Sequence, residues 1–353
     1  MKKSILNKKI LIGASLALIT FILFCIYALF TPLTHVNENI YIYVRPNDTQ
    51  NKVFSQLKAN VAWPQRMGVN LLAIISGYED NMHTGRYAIH PNENAVSFFR
   101  ALRGGRQEPI SITIPEVRTM RDLANYLGNH LMLDSLEFLR IVSDSSRMKT
   151  FGVSTANVYC LFIPNTYEVY WNISINDFLK RMKRESEGFW NDERLKKAAT
   201  IPLTPNEVYT LASIIDEETS NNKEKPDIAG MYINRLHKSM PLQADPTIKY
   251  AHGNFTLRRI YHSLLNINSP YNTYKNTGLP PGPIRIASVY AIDAVLNYTH
   301  HPYLYMCAKD DFSGTHSFAR TYSEHLANAA RYSKALDKRG INNVDFRYIY
   351  NKS

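Results

Sequence analysis

An α+β chain carried on one N-terminal transmembrane helix is the fold class this sequence predicts, and three observations carry that reading. Residues 10–30, ILIGASLALITFILFCIYALF, form an uncharged run of the length a bilayer requires. Two short alternating segments, IYIYV at 40–44 and ISITI at 110–114, read as strands, each followed by a helix. From about Asp134 onward the apolar spacing turns mainly helical and is interrupted by loops rich in Pro, Gly and Asn. With 353 residues, 45% hydrophobic and 20% charged, the composition is that of a globular chain able to bury two or three compact units.

Lys2, Lys3, Lys8 and Lys9 precede the apolar run. That cationic flank predicts a cytoplasmic N-terminus over residues 1–9 and export of everything after Pro32. The run ends Tyr27, Ala28, Leu29, Phe30, without a small-x-small cleavage site, so residues 10–30 are expected to remain as an anchor in the lipid bilayer. A formal charge of +11 admits nucleic acid, anionic lipid or an acidic polymer as partner. Export and the scattered placement of the basic residues exclude nucleic acid. Cys25 falls in the span, and the exported thiols Cys160 and Cys307 have no spacing pattern, so a disulfide and two unpaired thiols both stay open. No cofactor and no metal is expected, because His300 and His301 have no further ligand at metal-binding spacing beside them.

After the strand at 40–44, residues 49–60 read as a helix around Val53, Leu57 and Ala59. Gly85-Arg86-Tyr87 opens a short extended piece. Residues 92–102 follow as a helix with Val96, Phe99 and Leu102 inward, ended by Gly104-Gly105. The strand at 110–114, Pro115 and a helix through Met120, Leu123, Tyr126 and Leu127 repeat the strand-then-helix order, a weak internal repeat. Helices are expected at 135–142 and 175–187. Between them LFIPNTYEVYW mixes aromatic rings with Asn165 and Glu168, a composition that suits either a sugar groove or a Tyr-rich packing loop.

The stretch TPNEVYTLASIIDEET, 204–219, is the most informative part of the chain. Thr204 with Glu207 three residues on is a capping-box spacing, and Pro205 stands at the first helical position, where its missing N–H costs nothing. At helical period Val208, Leu211, Ile214 and Ile215 form one apolar stripe that Glu218 continues. Asp216 lies off the stripe's centre and Glu217 nearly opposite, so only Glu218 is placed as a buried acid. Desolvation and the negative end of the helix dipole both raise its pKa. A carboxyl kept protonated near neutral pH can give a proton to a leaving oxygen, the opening step of glycosidic cleavage. Beyond this helix, Pro226 opens a second, DIAGMYINRL, with Ile228, Met231, Tyr232 and Leu236 on its apolar side. MPLQADPTIKYA (240–251) and SPYNTYKNTGLPPGPI (269–284) then read as rigid irregular loops.

Taken together, LASIIDEET (211–219), INRL (233–236), MPLQADPTIKYA, YNTY (271–274), GLPPGPI (278–284), PYLY (302–305) and GTHSF (314–318) resemble, in order and spacing, the YceG-like family of endolytic murein transglycosylases. GRY and FIPNTY extend the likeness over most of the exported chain. The resemblance implies a LysM-like α/β subdomain near 38–110 and a mainly helical catalytic domain over 111–345. It places the catalytic glutamate, the second acid of the family's Glu-x-Glu-Thr motif, on Glu218. This chain has Asp216 where that motif begins with Glu, one methylene shorter, which puts any distance-sensitive role of the first acid in doubt. The implied reaction cuts the bond between N-acetylmuramic acid and N-acetylglucosamine in peptidoglycan and leaves a 1,6-anhydro end, on nascent strands ending polymerisation. Glu218 would protonate the glycosidic oxygen and then, as carboxylate, accept the C6 hydroxyl proton.

Gln243, Asp245, Asn272, Tyr274 and His316 are the candidates to position the sugar or stabilise its cationic transition state. Asp245, before Pro246, reads equally as a turn residue, and Asn234-Arg235 as a brace for a neighbouring loop. The implied partners are peptidoglycan strands, the bilayer and, by family, cell-wall synthases of the penicillin-binding class, which places the protein in the bacterial cell membrane. Two other readings remain. A hydrolytic muramidase would need Asp216 or Asp245 to hold a water, and a non-catalytic wall-binding scaffold would need no acid at all.

Overall fold

The computed structural model of the chain describes residues 2–257 and 260–339, with side chains from residue 9 onward. It contains both helices and strands, as expected, and divides into two compact units. One comprises Met1–Ile112, His130–Met132 and Glu168–Ile173; the other comprises Thr113–Asn129, Leu133–Tyr167 and Ser174–Ser353.

The first unit begins with α1 (Lys2–Phe30), in which Lys9–Phe30, 22 residues of mean hydropathy 2.6, is long and apolar enough to cross a bilayer. There follow β1 (Ile40–Val44), α2 (Gln50–Ser55) continued by a 3-10 turn (Gln56–Ala59), α3 (Trp63–Ser76), β2 (Gly85–Ile89) and α4 (Ala95–Arg103). Strands β1 and β2 pair antiparallel, Ile40 opposite Ile89 and Val44 opposite Gly85. The Thr49 hydroxyl and the Asn94 amide oxygen cap α2 and α4 by accepting from Lys52 and Ser97 N–H groups. Val53, Leu57, Val69, Tyr87, Ile89 and Phe98 are fully buried in the core beneath, each worth about 1.5–3 kcal/mol as burial. Tyr78 joins them, stacked on Phe54 and edge-on to Phe99. α3 has no counterpart in the sequence reading; it ends where Gly77 takes φ +60°, the left-handed cap that glycine adopts without strain.

A strand followed by a helix occurs at both expected places, and the strands of the two cycles belong to different sheets. β1 pairs with β2, while β3 (Ile110–Thr113) pairs with β4 (Thr166–Val169). Helices α5 (Met120–His130), α6 (Ser135–Val142) and α7 (Ser145–Thr150) lie between β3 and β4 in sequence. The aromatic segment that contains β4 packs through Phe162, Ile163, Tyr167, Val169 and Trp171, which are buried, while Asn165, Glu168 and Tyr170 are exposed. The Tyr167 hydroxyl donates to the Ile163 carbonyl at 2.8 Å.

The second unit continues with α8 (Ile175–Phe189), α9 (Asp192–Thr200), α10 (Pro205–Glu218), α11 (Lys225–His237), α12 (Asp245–Ala251) and α13 (Val289–Leu296). It closes with a hairpin of β5 (Tyr305–Ala308) and β6 (His316–Ala319), and with α14 (Tyr322–Lys338). α10 is its central element, packed by α9, α11, α12 and α13. Its expected capping box is present, Thr204 and Glu207 each accepting from the other's N–H. Every residue from Val208 to Ile215 is buried, so the helix is enclosed all round rather than along one stripe. The chain 240–251 is only half loop, because α12 starts at Asp245 with Pro246 in its first turn. Cys160 and Cys307 are unpaired.

Candidate active site at the end of the acidic helix

Helix α10 ends on Asp216, Glu217 and Glu218, and the three carboxylates differ by partner more than by burial. The Asp216 side chain is only 3% exposed and meets Lys225 Nζ at 2.7 Å; Lys225 itself is 6% exposed. Asp216 also accepts from the Ser288 N–H at 2.6 Å and from its hydroxyl at 2.8 Å. The shorter first acid of the motif thus ties α10 to the start of α11 and to the cap of α13. Glu217, 8% exposed, accepts from Arg118 Nε and Arg285 Nη1, both at 2.8 Å. The expectation that Glu218 alone would be buried is therefore corrected: its two neighbours are buried too, Asp216 neutralised by Lys225 at the start of the next helix and Glu217 by two arginines from distant parts of the chain.

Among the described residues no lysine or arginine is bonded to Glu218. Its partner is the hydroxyl of Tyr232 on α11, which donates to Oε1 at 2.6 Å. Burial pushes the carboxyl up to about 7; the Tyr232 bond opposes that rise and the Asp245 carboxylate adds to it. Near neutral pH both protonation states are accessible, which is what a group acting first as acid and then as base needs.

Glu218 opens onto a cleft of about 230 Å³ that Tyr232, Arg235, Gln243, Asp245, Tyr274 and His316 also line, with Met306 to Ala308 of β5 along one wall. Asp245 accepts from the Tyr274 hydroxyl, and burial raises its pKa. Gln243 takes φ +49°, a left-handed conformation that carries strain in a residue with a Cβ. It is held by donation from its N–H to the Thr273 carbonyl at 3.0 Å and by Arg235, whose guanidinium donates to its amide oxygen at 3.2 Å. On β6, the His316 ring nitrogen Nδ1 lies 3.2 Å from a carboxylate oxygen of Glu224, and its main-chain N–H donates to the other.

The structure gathers Glu218, Gln243, Asp245, Tyr274 and His316 around this cleft and leaves Asn272 out. Asn272 is fully buried, its amide nitrogen donating to the carbonyls of Leu265 and Ile267 and its oxygen accepting from the Tyr274 N–H. It shapes the loop that presents Tyr274. Asn234 and Arg235 are the expected brace, donating to carbonyls of His301, Tyr303, Leu304, Pro241 and Leu242. Arg235 nonetheless also reaches the cleft. Tyr232, read from the sequence as core, is the site residue that reading missed; the signal was a hydroxyl on an otherwise apolar helix face, which needs a partner when buried.

The model of the YceG-like family matches residues 42–331. The chain belongs to the YceG-like family. Over 169 residues this YceG-like chain is 36% identical to the endolytic murein transglycosylase of Bacillus subtilis, covering 47% of this chain and 45% of that protein. Over 287 residues it is 29% identical to the endolytic murein transglycosylase of Streptococcus pneumoniae D39, covering 71% of this chain and 51% of the relative. It therefore spans about half the length of the relatives it matches. A crystal structure of a yceG-like protein from Listeria monocytogenes superposes with a TM-score of 0.54 at 24% identity, covering 83% of this chain and 99% of that one, and shares its fold.

Proposed function

We propose that the protein is a membrane-anchored lytic transglycosylase that cuts within peptidoglycan glycan strands, with Glu218 as its acid and base. One observation carries the proposal. Among the described residues Glu218 is the single member of an acidic triplet left without a cation, lining a polar cleft, with a pKa near neutrality. As acid, Glu218 gives its proton to the oxygen linking N-acetylmuramic acid to N-acetylglucosamine, and the C1–O bond breaks. As carboxylate it then takes the proton from the C6 hydroxyl while O6 bonds to C1, so the product carries a 1,6-anhydro ring and no water is consumed. The Tyr232 bond holds the carboxyl in one orientation through both steps. Asp245, kept in place by Tyr274, supplies negative charge opposite the developing oxocarbenium ion, and Gln243, Tyr274 and His316 bind hydroxyl and acetamide groups.

The names of the bacterial relatives and the membership of the family support this reading. The order β1-α2-α3-β2, two antiparallel strands enclosing two helices, supports a LysM-like glycan-binding role for the region 38–110. The cationic flank of α1 supports a cytoplasmic N-terminus and an exported remainder, where cell-wall synthases are natural partners. A hydrolytic reading narrows to Asp245 as the group that would hold water, because Asp216 is occupied by Lys225 and Ser288.

The test is to incubate the full chain in detergent micelles with purified peptidoglycan, beside Glu218→Gln, and to weigh the released fragments. Anhydro-ended fragments from the wild type, reduced about 10²–10⁴-fold in the variant, are expected for a group acting as general acid and base. Fragments heavier by one water would replace this reading with the muramidase, and equal cleavage by both proteins would remove Glu218 from the chemistry.

A further inference from the structure

Helix α3 carries two apolar faces, and the fold covers only one. Val69 and Ala73 are buried in the core of the first unit, and Gly68 lies against α1. On the other side Trp63, Met67, Leu71, Ile74 and Ile75 recur at helical spacing and point outward, with Trp63 58%, Ile74 73% and Ile75 74% exposed. The helix WPQRMGVNLLAIIS contains one charged residue, Arg66, which is half-buried. A face of this kind on a chain surrounded by water is an anomaly that asks for an occupant.

The contacts between α3 and α1 say what that occupant is. The Trp63 ring stacks on Phe24 with centroids 5.6 Å apart. A Cβ on Gly68 would come within 2.5 Å of the Ala28 carbonyl oxygen, so the two helices touch backbone to backbone. The Gln65 amide donates to the Thr31 hydroxyl at 2.8 Å. These contacts fix the first turns of α3, Trp63 to Gly68, against the last turns of α1. Phe24 lies about 9 Å back inside the apolar run that ends at Phe30, at 1.5 Å of rise per residue. Any bilayer that surrounds α1 as far as Phe30 therefore reaches Trp63.

We propose that α3 is a second membrane element, an interfacial helix whose Trp63, Met67, Leu71, Ile74 and Ile75 face lies in the leaflet from which α1 emerges at Phe30. The inference rests on α1 spanning a bilayer. Insertion to a depth of about 5–10 Å, usual for an interfacial helix, matches the depth at which Trp63 meets α1. The face continues into an open groove of about 510 Å³ between α3 and α4, lined by Leu72, Val96 and Phe99 together with Arg100 and Arg103, whose charge suits lipid phosphates. The helix would fix the orientation of the first unit on the membrane, which a single flexible tether does not do.

The test uses the full chain in proteoliposomes whose lipids carry bromine on the upper, middle or terminal part of the acyl chain, each a short-range quencher of tryptophan. The emission of Trp63 is obtained as the difference between wild type and Trp63→Phe, a change at an exposed position that leaves Trp171 and Trp190 in place. Phe21→Trp, made in the Trp63→Phe chain, places a reporter indole on α1. The expected result is blue-shifted Trp63 emission, most of it lost with upper-chain bromines, alongside quenching of the α1 reporter by the deeper ones. Quenching of the α1 reporter with water-like, unquenched Trp63 emission overturns the proposal and leaves the anchor standing. Blue-shifted Trp63 emission that no brominated lipid quenches overturns it in favour of a protein partner or a second copy. An unquenched α1 reporter overturns the anchor reading and this proposal with it.

Discussion

Glu218, Tyr232 and the two neutralised acids beside them are where sequence and structure meet at the scale of single residues. The capping box and the apolar stripe counted forward from Thr204 lead to Glu218 without any tertiary information, because both are local. What locality misses is that Asp216 and Glu217 are buried as well. Their cations, Lys225, Arg118 and Arg285, come from other segments, and no spacing rule within 204–219 reports them. Replacing Tyr232 by Phe removes the hydrogen bond that favours the Glu218 carboxylate, so the pKa of Glu218 should rise further. Activity that needs the protonated acid then persists to higher pH, and the alkaline limb of the kcat/KM profile should move upward by about one unit, the size expected for losing a bond to a charged group. A limb that stays in place would mean that Glu218 does not control it. The same raised pKa sets a stability prediction. Between the unfolded value of 4.5 and the folded value of about 7 the native state holds more protons than the unfolded one. Stability from this group is therefore fully present below about 4.5 and is lost as pH rises to about 7. Glu218→Gln, which cannot ionise, should raise the melting temperature relative to wild type at pH ~8, with the difference fading towards pH ~4. Thermal unfolding at the two pH values decides it.

Single elements show why some of the fold was legible and some was not. Helices with a side-chain cap, such as α6 and α10, stand at the positions the sequence suggests, while α4 begins at Ala95 instead of 92 and buries Phe98 where Val96 was expected inward. α3 escaped because it is apolar on opposite faces, which erases the one-sided periodicity that marks an amphipathic helix. α12 was hidden by Gln243, Asp245 and Pro246, residues that read as a turn until Pro246 is seen to occupy a first helical turn. The contacts that lock the elements together can be tested directly. Asp216→Asn leaves Lys225 charged and buried at the junction of α10, α11 and α13, and removal of one member of such a pair costs about 3–5 kcal/mol. Lys225→Met alone should cost a similar amount, and the double variant should lose clearly less than the two single losses added, as read from urea unfolding midpoints. On the other side of α11, a Cβ at Gly230 would lie 2.2 Å from the Thr299 carbonyl oxygen. Gly230→Ala should accordingly destabilise by about 1–3 kcal/mol, since the backbone opposite has to move.

At the scale of the whole molecule, the N-terminal apolar helix is part of the fold of the first unit. Ala28 is buried, Gly68 has no room for a side chain because of it, and Leu33, just beyond the helix, belongs to the core of the first unit. The sequence announced α1 by its length and lack of charge, but could not show that its last turns would be packed by a helix thirty-odd residues away, because such a contact leaves no periodic trace in either segment. It follows that removing α1 does more than take away an apolar segment. A chain beginning at residue 32 should uncover the α1-facing side of α3 in addition to the apolar face that was already exposed, and α3 should then open or self-associate. Hydrogen exchange is expected to accelerate over Trp63–Ser76, while amides of Pro205–Glu218, whose packing comes from α9, α11, α12 and α13, keep their protection. Sedimentation velocity should show association that detergent reverses, because micelles cover the same apolar surface that α1 and the bilayer would. Monomeric behaviour with unchanged protection over α3 would mean that the first unit holds its structure without α1. The cleft around Glu218 draws none of its lining from α1 or α3, so such a truncated chain should still cleave soluble glycan fragments, and loss of that activity would tie the site to these two helices in a way its lining does not.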